Sequence, residues 1–153
     1  MPVNMFLKVE GIKGEAKDEG YEDWVEVLAW SWGCSRNFDK ETKEEYYNKQ
    51  DISITKWYDR TSPIMAFSCS QNTIYPEVIL EVNKGDGDKG NFLSYKMKNA
   101  RVTSCSTGGS GGERRLTENI TFEFEEIEWI YHLPKEFHTE EETFVSRSYS
   151  SKE

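Results

Sequence analysis

Residues 106–124 read Ser106-Thr107-Gly108-Gly109-Ser110-Gly111-Gly112-Glu113-Arg114-Arg115-Leu116-Thr117-Glu118-Asn119-Ile120-Thr121-Phe122-Glu123-Phe124. Four glycines around one serine make a flexible loop that other atoms can approach closely. Past the loop, Ile120, Phe122 and Phe124 alternate with Thr121, Glu123 and Glu125, the period of two of a half-buried strand. A glycine loop that opens onto a strand excludes the phosphate-cradling P-loop, which needs a lysine after the last glycine and a helix beyond it; here Glu113 follows Gly112. The dinucleotide fingerprint fails as well, since no βαβ unit surrounds the glycines.

Working outward, the chain reads strand after strand. Downstream of Glu126 the apolar set moves to Ile127, Trp129 and Tyr131, a one-residue phase slip that predicts a β-bulge near Glu125 and Glu126. Upstream, residues 6–9 form an opening strand, followed by a loop with Gly11, Gly14 and the charged residues 15–23. Residues 24–32 are a second strand, apolar on both faces, with Leu28, Trp30 and Trp32 alternating against Val25, Val27 and Ala29; such a strand is expected to be covered on both sides. A polar excursion over 35–50 leads to a third strand over 52–57.

Thr61-Ser62-Pro63 then carries a helix-start signal, and it predicts one short helix with Ile64, Met65 and Phe67 turned inward, closed by Tyr75-Pro76. Further strands follow over 78–82, 92–97 and 101–105, with a turn at 84–90. From Pro134 the chain is polar, so a domain over 1–133 and a mobile polar tail over 134–153 are expected. The predicted fold is mainly β, a β-barrel of two packed antiparallel sheets with one short flanking α-helix.

A chain of 153 residues suits one domain that buries roughly 70% of its unfolded surface. The formal charge of -9, with lysines and arginines scattered among carboxylates, argues against nucleic acid as a partner. No apolar run approaches the roughly 20 residues of a membrane span, and residues 1–8 lack the n-region and h-region of a signal peptide, so the expected origin is a soluble cytoplasmic protein without membrane insertion. Cys34, Cys69 and Cys105 are odd in number and far apart; they are read as reduced, small apolar packing residues.

The residues offer little chemistry. His132 and His138 lack partners at metal-ligand spacing. Asp86 and Asp88 start a calcium-loop pattern that Gly90, Asn91 and Met97 break. Glu123, Glu125 and Glu128 read as a solvated strand face, and no nucleophile elbow is present. Asn119-Ile120-Thr121 matches a glycosylation sequon but lies within a strand. No catalytic residue, metal or cofactor is expected.

Several segments together resemble the Hcp family, the haemolysin-coregulated proteins of the type VI secretion inner tube. They are residues 5–15 (M-F-L-K-V-E-G-I-K-G-E), 26–33 (E-V-L-A-W-S-W-G), 52–56 (I-S-I-T-K), Ser62-Pro63, Tyr75-Pro76-Glu77 and the run from Val102 through Thr117-Glu118-Asn119. Most of residues 5–133 is covered, in the family's order. The resemblance implies a hexameric β-barrel ring with an open lumen, stacked into a tube, with a spike protein at its tip, a sheath around it and effectors inside. It implies secretion through that apparatus from the cytoplasm, and no cofactor.

Carried over by that resemblance, the glycine loop lies at or near the lumen, and Ser110, with Gly109 and Gly111, is the expected cargo contact. Residues 36–50 stand where the family has a glycine-rich loop that reaches the adjacent ring; here it is charged and aromatic, and Phe38, Tyr46 and Tyr47 are its expected stacking contacts. An alternative from the residues alone is a glycan- or small-ligand-binding barrel that uses Trp24, Trp57 or Trp129 as stacking platforms.

Overall fold

The computed structural model describes residues 3–84 and 91–151. In chain order the elements are β1 (Val3–Val9), β2 (Val25–Ser31), β3 (Cys34–Phe38), β4 (Glu45–Lys49), β5 (Ile52–Trp57), α1 (Ser62–Gln71), β6 (Ile74–Lys84), β7 (Asn91–Gly108), β8 (Thr117–Glu123), β9 (Glu126–His132) and β10 (Phe144–Ser150). A 3-10 turn over Lys135–Phe137 joins β9 to β10. The turn expected at 84–90, with Asp86 and Asp88, falls on residues 85–90, outside the described residues.

Six antiparallel strands close on themselves in the order β1, β2, β5, β8, β7, β6. The predicted β-barrel with one flanking α-helix is therefore what forms, although its strands belong to one continuous sheet rather than two packed ones. Ring closure removes the barrel's edges, and the alternating residues fill its interior: Leu7, Val27, Ile52, Ile54, Leu80 and Phe122 are all buried. A wing extends the wall, as β9 pairs with the first half of β7 and β10 pairs with β9.

The wing overturns the expectation of a mobile polar tail. Phe144 through Ser150 pair residue by residue with His132 through Glu126. The stretch is polar because its strand buries little, with only Ser146 and Tyr149 half-covered.

The phase slip at 124–127 is real but is not a bulge. β8 ends at Glu123 and β9 begins at Glu126, yet Arg101↔Glu123 and Lys98↔Glu126 keep one register along β7. Register survives because β7 slips as well: its buried positions jump from Met97 to Ala100, with Asn99 in the left-handed region at φ 53. Both strands kink together, and Asn99 Nδ2 donates to Glu125 Oε2 at 2.9 Å across the kink. Glu125 is thus a structural acceptor rather than part of a solvated face.

Bulges lie elsewhere, at Val82/Asn83, at Val102/Ser104 and at Val27/Ala29. The last explains why β2 looks apolar on both faces. Val25 and Val27 point into the barrel, the register then shifts, and Trp30 and Trp32 pack against the same core, which leaves Ala29 exposed.

The helix also turns differently from expectation. Ile64 is 39% and Phe67 65% exposed, and the buried positions of α1 are Ser62, Met65 and Ser68. Polar residues face inward because α1 covers a barrel mouth that carries buried polar groups. It ends at Asn72, left-handed at φ 53, so Tyr75 and Pro76 belong to β6.

Candidate functional site

The strand registers place the two candidate surfaces at opposite ends of the barrel. β5 runs from Ile52, paired with Phe122, to Trp57, paired with Thr117. The hairpin β3–β4 enters β5 at its first end, and the glycine loop between β7 and β8 lies at its second, about 17 Å away for five strand steps. The structure does not bring Ser110 and the residues Phe38, Tyr46 and Tyr47 together.

The 36–50 excursion is an ordered hairpin. Its strands pair only with each other, from Cys34↔Lys49 to Phe38↔Glu45. At the tip, Asp39 Oδ1 accepts the amide hydrogens of Glu41 at 2.9 Å and Thr42 at 3.4 Å, which closes the turn and lowers the Asp39 carboxyl below its ordinary value. Cross-strand partners share a face, so Phe38 and Tyr47 point one way and Tyr46 the other. Tyr47 is half-buried edge-on to Tyr149 of β10, with ring centroids 4.9 Å apart. Burial, the Cys34 thiol and Tyr149 push its phenol up to about 12. Phe38 and Tyr46, by contrast, are 56% and 55% exposed. Two of the three expected contacts are therefore exposed aromatic surface, Tyr46 with its hydroxyl donating to Glu44, and the third anchors the hairpin to the wing.

In the glycine loop, Ser110 Oγ donates to Glu113 Oε1 at 2.9 Å and Glu113 N donates to Ser110 O at 3.3 Å. Gly112, at φ 97, makes the turn that these bonds close. Space is open around Gly111, whereas a side chain on Gly109 would meet Leu116. Arg115 lies over the Trp57 ring, 4.3 Å from its centroid.

At this same end, a buried ion cluster sits under α1. Lys56 Nζ contacts Asp59 Oδ1 at 2.9 Å and Glu118 Oε1 at 2.5 Å, and it also donates to Ser62 Oγ at 3.1 Å. Asp59 takes further hydrogen bonds from the Thr61 amide and hydroxyl. Burial pushes the Asp59 carboxyl up, but the bonds from Thr61 and Lys56 and the lysine's charge outweigh it and hold the group below its ordinary value. Sequence reading missed the cluster although the pattern Ile52-x-Ile54-x-Lys56 places the lysine on the inward face.

The tryptophans of the ligand-binding alternative are already engaged. Trp57 is covered by Arg115, Trp24 by Lys8 and the Tyr21 edge, and Trp129 by Trp32. His138 Nε2 bonds the Leu133 carbonyl, and the His132 ring leans on Phe144. Among the described residues no group of three metal-ligating side chains gathers, and no helix is long and apolar enough to cross a membrane. Cys34 departs from its expected packing role, since it is exposed, while Cys69 and Cys105 are half-buried.

The closed six-strand barrel with its helix superposes on solved type VI secretion proteins. A structure described as a type six secretion system protein superposes with a TM-score of 0.84 at 25% identity, covering 97% of this chain and 96% of that one. Hcp1 from Salmonella typhimurium gives 0.80 at 25% identity over 99% and 96%. In sequence, Protein hcp1 of Pseudomonas aeruginosa is 39% identical over 140 residues, 88% of this chain and 86% of that protein. The family model for "Type VI secretion system effector, Hcp" matches residues 6–131. The chain belongs to the Hcp family, whose members are secreted tube proteins of type VI secretion and not enzymes.

Proposed function

We propose that the chain is a structural subunit of a type VI secretion inner tube, assembling as hexameric rings that stack and hold effectors in their lumen. Spike and sheath proteins would be its other partners, and it would leave the cytoplasm through the apparatus it helps to build. Beyond family membership, the observation that carries this reading is the β3–β4 hairpin. It forms its own two-stranded sheet outside the barrel's strand ladder, has its tip turn closed by Asp39, and exposes Phe38 and Tyr46. Large apolar side chains at the end of an ordered projection suit a partner surface, where aromatic residues supply much contact area at low entropic cost.

In this reading Ser110, Gly109 and Gly111 face cargo, and the small side chains leave room for varied surfaces. Support comes from the open space at Gly111 and from the exposure of Ser110. Negative-stain imaging with light scattering tests the assembly: six-fold rings are expected, and a monomer at micromolar concentration whose melting temperature rises with a glycan would replace the reading with the ligand-binding one. For the loop, Ser110→Trp should leave rings intact and reduce co-purification of an effector, and unchanged retention would remove Ser110 from the lumen site.

A further inference from the structure

Cys69 of α1 and Cys105 of β7 lie on two elements that pack against each other, and both side chains rest on the same core. The strand register pairs Cys105 with Ile120, which is 1% exposed inside the barrel, so the cysteine shares that inward side. On the helix, Cys69 lies four residues after Met65 and one after Ser68, beside the buried stripe. Two side-chain contacts pin α1 against β8 and the second half of β7. Ser62 Oγ donates to Glu118, whose strand partner is Thr107, and Arg101 Nη1 donates to Asn72 Oδ1 at 3.0 Å at the helix's other end. Between those pins both cysteines pack against the same core, half-buried, and Cys69 lies close enough to Cys105 to help raise its thiol.

We propose that Cys69 and Cys105 are a redox site, two thiols that close into an internal disulfide in oxidising surroundings and tie α1 over the barrel mouth. The oxidant is a small disulfide, RSSR. Cys69 attacks one of its sulfurs and expels RS⁻, leaving a mixed disulfide on the helix. Cys105 then attacks the Cys69 sulfur and expels the second RS⁻. Two cysteine protons end on the two released thiols, and RSSR is reduced to 2 RSH as the cysteine pair is oxidised. Burial, with Cys69 and Glu118 beside it, pushes the Cys105 thiol up to about 11, which makes it the slower partner and the resolving one. Closing the bond brings the two sulfurs to about 2.05 Å of one another. Exposed Cys34, on the hairpin at the other end of the barrel, takes no part.

The test incubates the reduced full-length chain with oxidised glutathione, then counts thiols with a maleimide under denaturing conditions and maps peptides without reduction. The expected result is a linked species joining the Cys69 and Cys105 peptides, and in the Cys34→Ser chain a loss of both thiols with a mass lower by two hydrogen atoms and a higher melting temperature that dithiothreitol reverses. Cys105→Ser should abolish the linked species and leave Cys69 free or carrying glutathione. The proposal is overturned if Cys69 and Cys105 both remain alkylatable, or if Cys34 enters the link.

Discussion

Removing the cation from the buried cluster gives the sharpest test of how the barrel end is held. The side chains of Lys56, Asp59 and Glu118 are 1%, 7% and 3% exposed, so Lys56→Met leaves two carboxylates without their counterion under α1. Breaking a buried ion pair by deleting one partner costs about 3–5 kcal/mol. In a domain of this size each kcal/mol moves the melting point by about 2–4 °C, which gives a loss of about 6–20 °C at neutral pH. Thermal unfolding followed by circular dichroism measures it.

The pH dependence supplies a second arm. In the parent chain Asp59 is held below its ordinary 3.8, so its contribution is present above that value and fades as pH falls through the lower folded-state one. Without Lys56, burial pushes the Asp59 carboxyl up, so the variant's penalty is largest at neutral pH and shrinks on acidification. The gap between parent and variant should therefore narrow from pH 7 to pH 5. A gap below about 2 °C at pH 7, or one that widens toward pH 5, would refute the reasoning.

The remaining expectations follow from single positions. Phe38→Ser with Tyr46→Ser should change stability by no more than about 0.5 kcal/mol, because both are exposed, while reducing ring stacking in sedimentation or imaging. Gly14→Ala should destabilise by about 1–3 kcal/mol in urea unfolding, since a Cβ there runs into the Trp24 carbonyl while Gly14 N donates to Asp23 O at 2.7 Å. Asn99→Val should lower the melting point by forcing a β-branched residue into the left-handed region, at a cost of about 1–3 kcal/mol, while Asn99→Gly should be milder.

How legible the fold was depends on whether an element's logic is local. Residues 52–57 are a strand in sequence and in structure because Ile52 and Ile54 alternate cleanly with Ser53 and Thr55. The slip at 124–127 was also visible, but its matching slip in β7 passes through Lys98 and Asn99, where polar residues hide the period. Thr103, Phe92 and Leu28 are the extra residues of bulges that only the partner strand reveals. At the candidate site, adjacency grouped Tyr46 with Tyr47, whereas strand alternation sends them to opposite faces. Residues 144–150 resist reading for another reason: serine alternation buries too little apolar surface to announce a strand, and pairing with β9 supplies its order.

The placement of the hairpin at one barrel end and of α1 with the glycine loop at the other has a directional consequence. A body whose two ends differ can meet a copy like end to like end, which makes a closed pair, or unlike end to unlike end, which makes an open row. If copies stack as proposed, hairpin end against loop end, every copy in the column points the same way and the column does not close on itself. Its two mouths are chemically distinct. A partner shaped to fit one mouth is therefore unsuited to the other, and growth and termination can occur at separate ends of the same column.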